Sequence, residues 1–174
     1  MIQDTLRKHI PITLYGLRVR FVDITDSHDI ADLRSNKELT PYMVTIEKDT
    51  TAQEAWIKEY KKRESLDLDY YFAYEDDAGL VGFNRLSKIN WDDKSCFAAS
   101  WIKKPGIKGY GSQMFLARCE IAFNMMGMQN LYSEIFKDNH NVLKHWDGYG
   151  AIKDLRNDGF FVLNLSKEDF LKNK

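Results

Sequence analysis

Two stretches of this chain carry residue types at spacings that suit chemistry. The first is Gly106-Ile107-Lys108-Gly109-Tyr110-Gly111, followed by Ser112 and set between an apolar run and an amphipathic one. Glycines let a backbone approach a ligand closely, and a helix N-terminus offers unpaired N–H groups and the positive end of a dipole. Together they make a cradle for a pyrophosphate; the same pattern also serves as a flexible strand-to-helix turn. It is not a dinucleotide-binding fingerprint, because a meander precedes it and no acidic residue ends a second strand–helix–strand unit. Nor is it a Walker loop, since Lys108 precedes the second glycine instead of following it. The second stretch is Asn139, Leu143, Trp146 and Gly150, spaced N-x3-L-x2-W-x3-G on a helix that begins just after a strand. Cys96 and Cys119 have no CxxC partner, no histidine at zinc spacing and no activating neighbour in the sequence. Both read as core, so neither a disulfide framework nor a metal is expected.

The elements that must position these residues follow from hydrophobic period. Leu17 to Val22 alternates as a strand, and Asp26 or Ser27 caps a helix carrying Ile30, Leu33 and Arg34. A turn-rich stretch over 36–50 precedes a helix that opens on the capping box Thr51 to Glu54. Tyr70 to Glu75 and Leu80 to Leu86 form a hairpin about the turn Asp76 to Gly79, and Cys96 to Ile102 is a central strand. A helix from about Ser112 to Met126 stacks Leu116, Cys119 and Phe123, and Gly127 ends it. Then come a strand over Asn130–Phe136, a short helix over Asn139–Tyr149 and a strand from Ala151. The last strand is Gly159–Leu165, with a C-terminal turn or short helix capped by Ser166. The order β-α-α-β-β-β-α-β-α-β-β predicts an α+β (mixed α/β) sheet, antiparallel for the most part, and not a doubly wound one.

The 174 residues suit one domain, 1–174, with 44 % hydrophobic and 29 % charged residues. A formal charge of −1 argues against nucleic-acid binding by bulk phosphate neutralisation. No run of apolar residues is long enough to span a membrane, and the N-terminus lacks an apolar signal core, so the cytoplasm is the expected compartment.

The glycine loop and the asparagine helix together resemble the GNAT acetyltransferase superfamily. Its signature is Q/R-x-x-G-x-G/A, then a strand, then N-x-x-A-I-x-L-Y-E-K-x-G-F. Asn139 matches the asparagine, Val142 and Leu143 the A-I pair, Trp146 the tyrosine, Asp147 the glutamate and Gly150 the glycine. Ser100, Trp101 and Ile102 resemble the end of the family's central strand, where the chain splays and pairs with the pantetheine arm of acetyl-CoA. The resemblance runs from about Leu17 to Leu165. It implies a central twisted sheet of about seven strands, splayed in the middle, with about four helices, and acetyl-CoA as co-substrate without a metal. It places Trp101, Ile102, Lys108, Gly109, Tyr110, Gly111, Ser112, Asn139 and Lys144 along that co-substrate. Gly106 stands where the family has Gln or Arg, so one pyrophosphate contact is lost or comes from Lys103, Lys104 or Lys108. Trp146 stands where the family has its tyrosine acid, and an indole N–H donates a hydrogen bond but is no proton acid near neutral pH. His145, then Tyr149, are the first substitutes.

Within the superfamily the N-terminal half is similar to acetyltransferases of nucleotide-linked aminosugars, such as the pseudaminic-acid pathway enzyme and other surface-polysaccharide enzymes of O-antigen and capsule. The resemblance implies Glu134 as general base, a role that also fits a carboxylate desolvated on a central strand beside Ile135 and Phe136. It implies Arg34, Tyr42, Met43, Tyr70, Arg85 and Lys88 as contacts for a dTDP- or UDP-linked 3- or 4-amino sugar, with guanidinium groups for diphosphate and tyrosine for stacking. Glu134 reads equally as a salt-bridged strand residue. Two other functions stay open: a protein N-terminal acetyltransferase of the ribosomal-protein type, and a catalytically weak acyl-CoA-binding domain. A homodimer paired through the C-terminal strand is also compatible.

Overall fold

The structure, a computed structural model, describes residues 2–174. One eight-stranded sheet runs through it in the order β1-β2-β3-β4-β5-β6-β8-β7. Its strands are β1 (Ile12–Leu14), β2 (Leu17–Phe21), β3 (Tyr70–Asp76), β4 (Gly79–Asn90), β5 (Ser95–Lys103), β6 (Asn130–Phe136), β7 (Ile152–Leu155) and β8 (Phe160–Ser166). Every pairing is antiparallel except β5 with β6. The helices are α1 (Ile2–His9), α2 (Ser27–Ser35), α3 (Thr50–Ser65), α4 (Gly111–Cys119), α5 (His140–Gly148) and α6 (Lys167–Asn173). The mixed α/β architecture is as expected from sequence. The extra strand is β1, a three-residue piece too short for period two to reveal. Of the two further helices, α1 was not expected, whereas α6 is the C-terminal helix expected after Ser166, whose hydroxyl accepts from the Asp169 N–H at 3.1 Å.

Period two divides β3 between two cores. Tyr70, Phe72 and Tyr74 face the side covered by α4, with Phe115, Phe123 and Trp146. Tyr71 and Ala73 face the other side, with Ile30 and Leu33 of α2 and Ile57 and Tyr60 of α3. A strand buried on both faces reads as a continuous apolar run, as Tyr70 to Tyr74 does.

Local chemistry moves two helix boundaries from their expected places. The capping box expected at Thr51 is replaced by Asp49, whose carboxylate accepts from the Ala52 N–H at 3.0 Å, so α3 starts at Thr50. The helix expected to run to Met126 as one α-helix is α only to Cys119. Over Glu120–Met125 it widens into a π-helix, in which the successive residues Ile121, Ala122 and Phe123 are all buried.

β4 and β5 approach each other closely at Gly82. A Cβ there would lie 2.5 Å from the Ile102 carbonyl oxygen and 3.0 Å from the Lys103 Cα. Both are backbone atoms and cannot swing away. Gly82→Ala is therefore expected to destabilise the protein by about 1–3 kcal/mol, read as a lower urea midpoint at unchanged slope. An unchanged midpoint would mean that the strands part without cost. β7 is one edge of the sheet, with β1 the other, and all four residues of β7 are exposed.

Candidate active site

The parallel pair β5–β6 holds for only three residues, Ser95 to Phe97 against Asn130 to Tyr132. Beyond Phe97 the strands diverge. The Ala98 carbonyl, left without a strand partner on that side, accepts from the Ser133 hydroxyl at 2.8 Å. On the other side of β5 the register with β4 slips between Arg85↔Ala99 and Phe83↔Ile102, and Ser100 takes a positive φ of 53°. The bulge and the divergence open a cleft of about 400 Å³. One wall is Ala98 to Lys103 of β5 and the other is Glu134 to Phe136 of β6. The segment 38–43 between α2 and α3 closes its mouth, where the Tyr42 ring stacks on Phe136 at 5.5 Å. Trp146 and Arg118, both buried, also line it.

A second cleft of about 480 Å³ adjoins the first, sharing Trp101, Lys103, Asn141 and Val142. It lies at the start of α4 and is lined by Gly109, Tyr110, Gly111, Ser112 and Gln113. Gly109 and Tyr110 have φ of 81° and 62°, which turn the chain sharply into the helix, and no side chain caps that helix. The first N–H groups of α4 thus remain available to an anion. Lys103 reaches across the loop and donates to the Gly109 carbonyl at 2.8 Å. Lys144 and His145 line the opposite wall. An uncapped helix start, left-handed turn residues and nearby lysines suit a pyrophosphate. The divergent edge of β5 suits an extended amide arm. The residues present therefore fit coenzyme A.

The candidates from sequence divide clearly. Trp101, Ile102, Gly109, Tyr110, Gly111, Ser112, Asn139 and Lys144 line the two clefts, whereas Lys108 is exposed outside both. Glu134 sits at the rim of the first cleft, on the face of β6 that alternation turns outward. Its side chain is 42 % exposed and pairs with Arg156 at 3.0 Å, so it is not the enclosed carboxylate expected from the sequence. Trp146 is fully buried, edge-on to Phe115, and its Nε1 has no partner. His145 faces the second cleft and stacks on Phe115. Burial, with Lys144, Arg118 and Lys103 nearby, pushes its pKa below the usual histidine value, so the ring is neutral at pH 7 and holds no spare proton. Tyr149 stacks on Phe115 away from both clefts, and burial raises its pKa.

Of the six expected sugar contacts, Tyr42 and Met43 line the cleft and four do not. Tyr70 lies in the core instead, where its hydroxyl donates to Asp67 at 2.6 Å. Arg85 is taken up by Asp69 at 2.8 Å and lies over Trp56. Arg34 reaches the Val44 carbonyl at 3.4 Å. Lys88 is exposed, its ammonium 4.7 Å from the Phe97 ring centroid. A short-range pattern marks these residues as polar or aromatic, but two buried aspartates, Asp67 and Asp69, claim Tyr70 and Arg85. Both thiols are buried and pushed up to about 12, which leaves them protonated and poor nucleophiles.

Sequence reasoning passed over Asn141, Gln113 and Arg118. The first two sit at helix starts on the cleft walls, and spacing from the glycine and asparagine motifs can find them. Arg118 lies on α4 among apolar residues and carries no such signal. Among the described residues no cluster of three or more metal-ligating side chains occurs, and no helix is long and apolar enough to cross a membrane.

Residues 17–146 match a family model described as "Acetyltransferase (GNAT) domain". Among solved structures, the apo form of FdhC, described as a nucleotide-linked sugar GNAT, is 27 % identical with a TM-score of 0.83; the match covers 95 % of this chain and 94 % of that one. Spermidine N-acetyltransferase from Vibrio cholerae, bound to CoA and spermine, is 18 % identical with a TM-score of 0.77, covering 90 % and 98 %. At that identity the likeness is one of fold. No curated protein matches the chain.

Proposed function

We propose that this chain, which belongs to the GNAT acetyltransferase family, moves an acetyl group from acetyl-CoA to the amine of a nucleotide-linked (dTDP or UDP) 3- or 4-amino-dideoxyhexose. The observation that carries the acceptor class is the likeness to a nucleotide-linked sugar GNAT over 95 % of the chain. The aromatic wall of Tyr42 stacked on Phe136 at the cleft mouth supports it, since flat rings suit a nucleotide base or a sugar face.

The chain's own residues supply a direct attack within a ternary complex. The uncapped start of α4 and Lys144 hold the diphosphate end of the co-substrate. The open edge of β5 aligns its arm, and backbone N–H groups there stabilise the oxygen that becomes negative during attack. Glu134 accepts the proton that the amine loses, and Arg156 holds the carboxylate in position at 3.0 Å. Trp146 lends an indole N–H to the leaving sulfur, and water supplies the proton. The protonated thiols of Cys96 and Cys119 are consistent with the absence of an acyl-enzyme.

The test follows CoA thiol release with acetyl-CoA and a panel of dTDP- and UDP-linked 3-amino and 4-amino sugars, alongside spermidine and a peptide with a free N-terminal Ala or Ser. Turnover confined to one or two sugars is the expected result. Turnover on the peptide alone transfers the assignment to a protein N-terminal acetyltransferase, and turnover on spermidine alone to a polyamine enzyme.

A further inference from the structure

Arg118 is a charge without a counterion. It is only 2 % exposed, yet no carboxylate pairs with it among the described residues, and its Nε lacks any hydrogen-bond partner. The titratable groups around it are Cys119, Tyr74 and Cys96, all neutral at pH 7, with the neutral His145 close by. Trp101 offers it a ring face at 5.2 Å, which attracts the guanidinium without neutralising it. Burial lowers its pKa from the usual value, but an arginine stays protonated throughout the working range. A guanidinium kept in the core with neutral neighbours is costly unless an acceptor arrives. Its place decides which acceptor: it lines the first cleft, with Ala98, Trp101 and Trp146, where β5 and β6 part. A nucleotide-sugar at the mouth meets Tyr42 and Glu134 first. In the proposed transfer the group that passes beyond them toward the buried Arg118 is the acyl chain of the donor.

We propose that Arg118 is an acyl-specificity residue, which makes this cleft take, besides acetyl, an acyl group that ends in a carboxylate and is delivered as its CoA thioester. The inference rests on the proposed CoA-dependent transfer. In the step itself the amine nitrogen bonds to the thioester carbonyl carbon as the C–S bond breaks. The nitrogen gives up one proton, CoA leaves as the thiol after taking up one, and the distal carboxylate is unchanged. The guanidinium meets that carboxylate with paired N–H donors, a match that an alkyl chain of the same length cannot make.

Succinyl-CoA and butyryl-CoA have the same four-carbon acyl length and differ at its end. Titration calorimetry on the full chain with these two and acetyl-CoA needs no acceptor. Succinyl-CoA is expected to bind roughly tenfold or more tighter than butyryl-CoA, and Arg118→Met to erase that ratio. Equal binding of the two thioesters by the unaltered protein overturns the proposal, as does a preference that survives in Arg118→Met. Since the first comparison uses the unaltered protein, a variant that fails to fold does not spoil the test. Acetyl-CoA binding without a succinyl preference removes this proposal alone. Binding of none of the three removes the CoA-dependent reading as well.

Discussion

Glu134→Gln is expected to lower kcat by about 10²- to 10⁴-fold, the usual contribution of a positioned general base, with the KM for acetyl-CoA changed by less than about threefold. The amide keeps the shape and still accepts a hydrogen bond, but it cannot take the amine proton. It also gives up the charge that Arg156 meets at 3.0 Å. Arg156 retains Asp158 at 2.8 Å, so the loop before β8 keeps an ion pair and the fold has little reason to change. Stability is expected to stay within about 0.5 kcal/mol, because exposed ion pairs contribute little. Steady-state kinetics on the sugar that turns over, beside a urea melt, separate the two effects. A variant with full kcat would return Glu134 to the role of a salt-bridged strand residue and move the proton to a water relay.

The largest effect on stability is expected at Trp146. Its ring is fully buried and edge-on to Phe115 at 5.5 Å, at the meeting of α4, α5 and the sheet. Trp146→Ala removes the whole ring from a packed core, and about 3–5 kcal/mol of stability should go with it. Trp146→Phe tests the N–H separately. Nε1 is buried without a partner, so its loss relieves a desolvated donor while most of the ring volume stays. The phenylalanine variant should therefore fold nearly as well as the parent and yet lose roughly tenfold in kcat, if the indole serves the leaving sulfur. Denaturant midpoints and kcat for the two variants check this together. A phenylalanine variant that keeps both stability and kcat would leave the indole a packing group.

Glu134 and Tyr70 illustrate what was legible along the chain. Glu134 is expected from the sequence as a desolvated carboxylate on a central strand, and the folded chain instead turns it to the open face of β6. Alternation applied to Tyr70 leads only to a core position, since β3 is buried on both faces. Whether Tyr70 met a ligand or a neighbour depended on Asp67, which reaches its hydroxyl across a turn. Arg85 is similar: a guanidinium on a strand suits a diphosphate until Asp69 is found beside it.

The order of strands and helices from Leu17 onward, the glycine turn into α4 and the asparagine at the start of α5 were determined by the sequence itself. Each rests on hydrogen bonds and hydrophobic periods that close within a few residues, which makes them local quantities. The tertiary structure decided the rest. The cleft exists because β5 and β6 pair for three residues and then part, a matter of register between segments about 35 positions apart. The segment 38–43 has no period to read, and it becomes a wall only because Tyr42 finds Phe136. Arg118 is one basic residue on an amphipathic helix until the folded chain encloses it with neutral neighbours. Burial and charge compensation are sums over the whole molecule, and no window along the chain contains them.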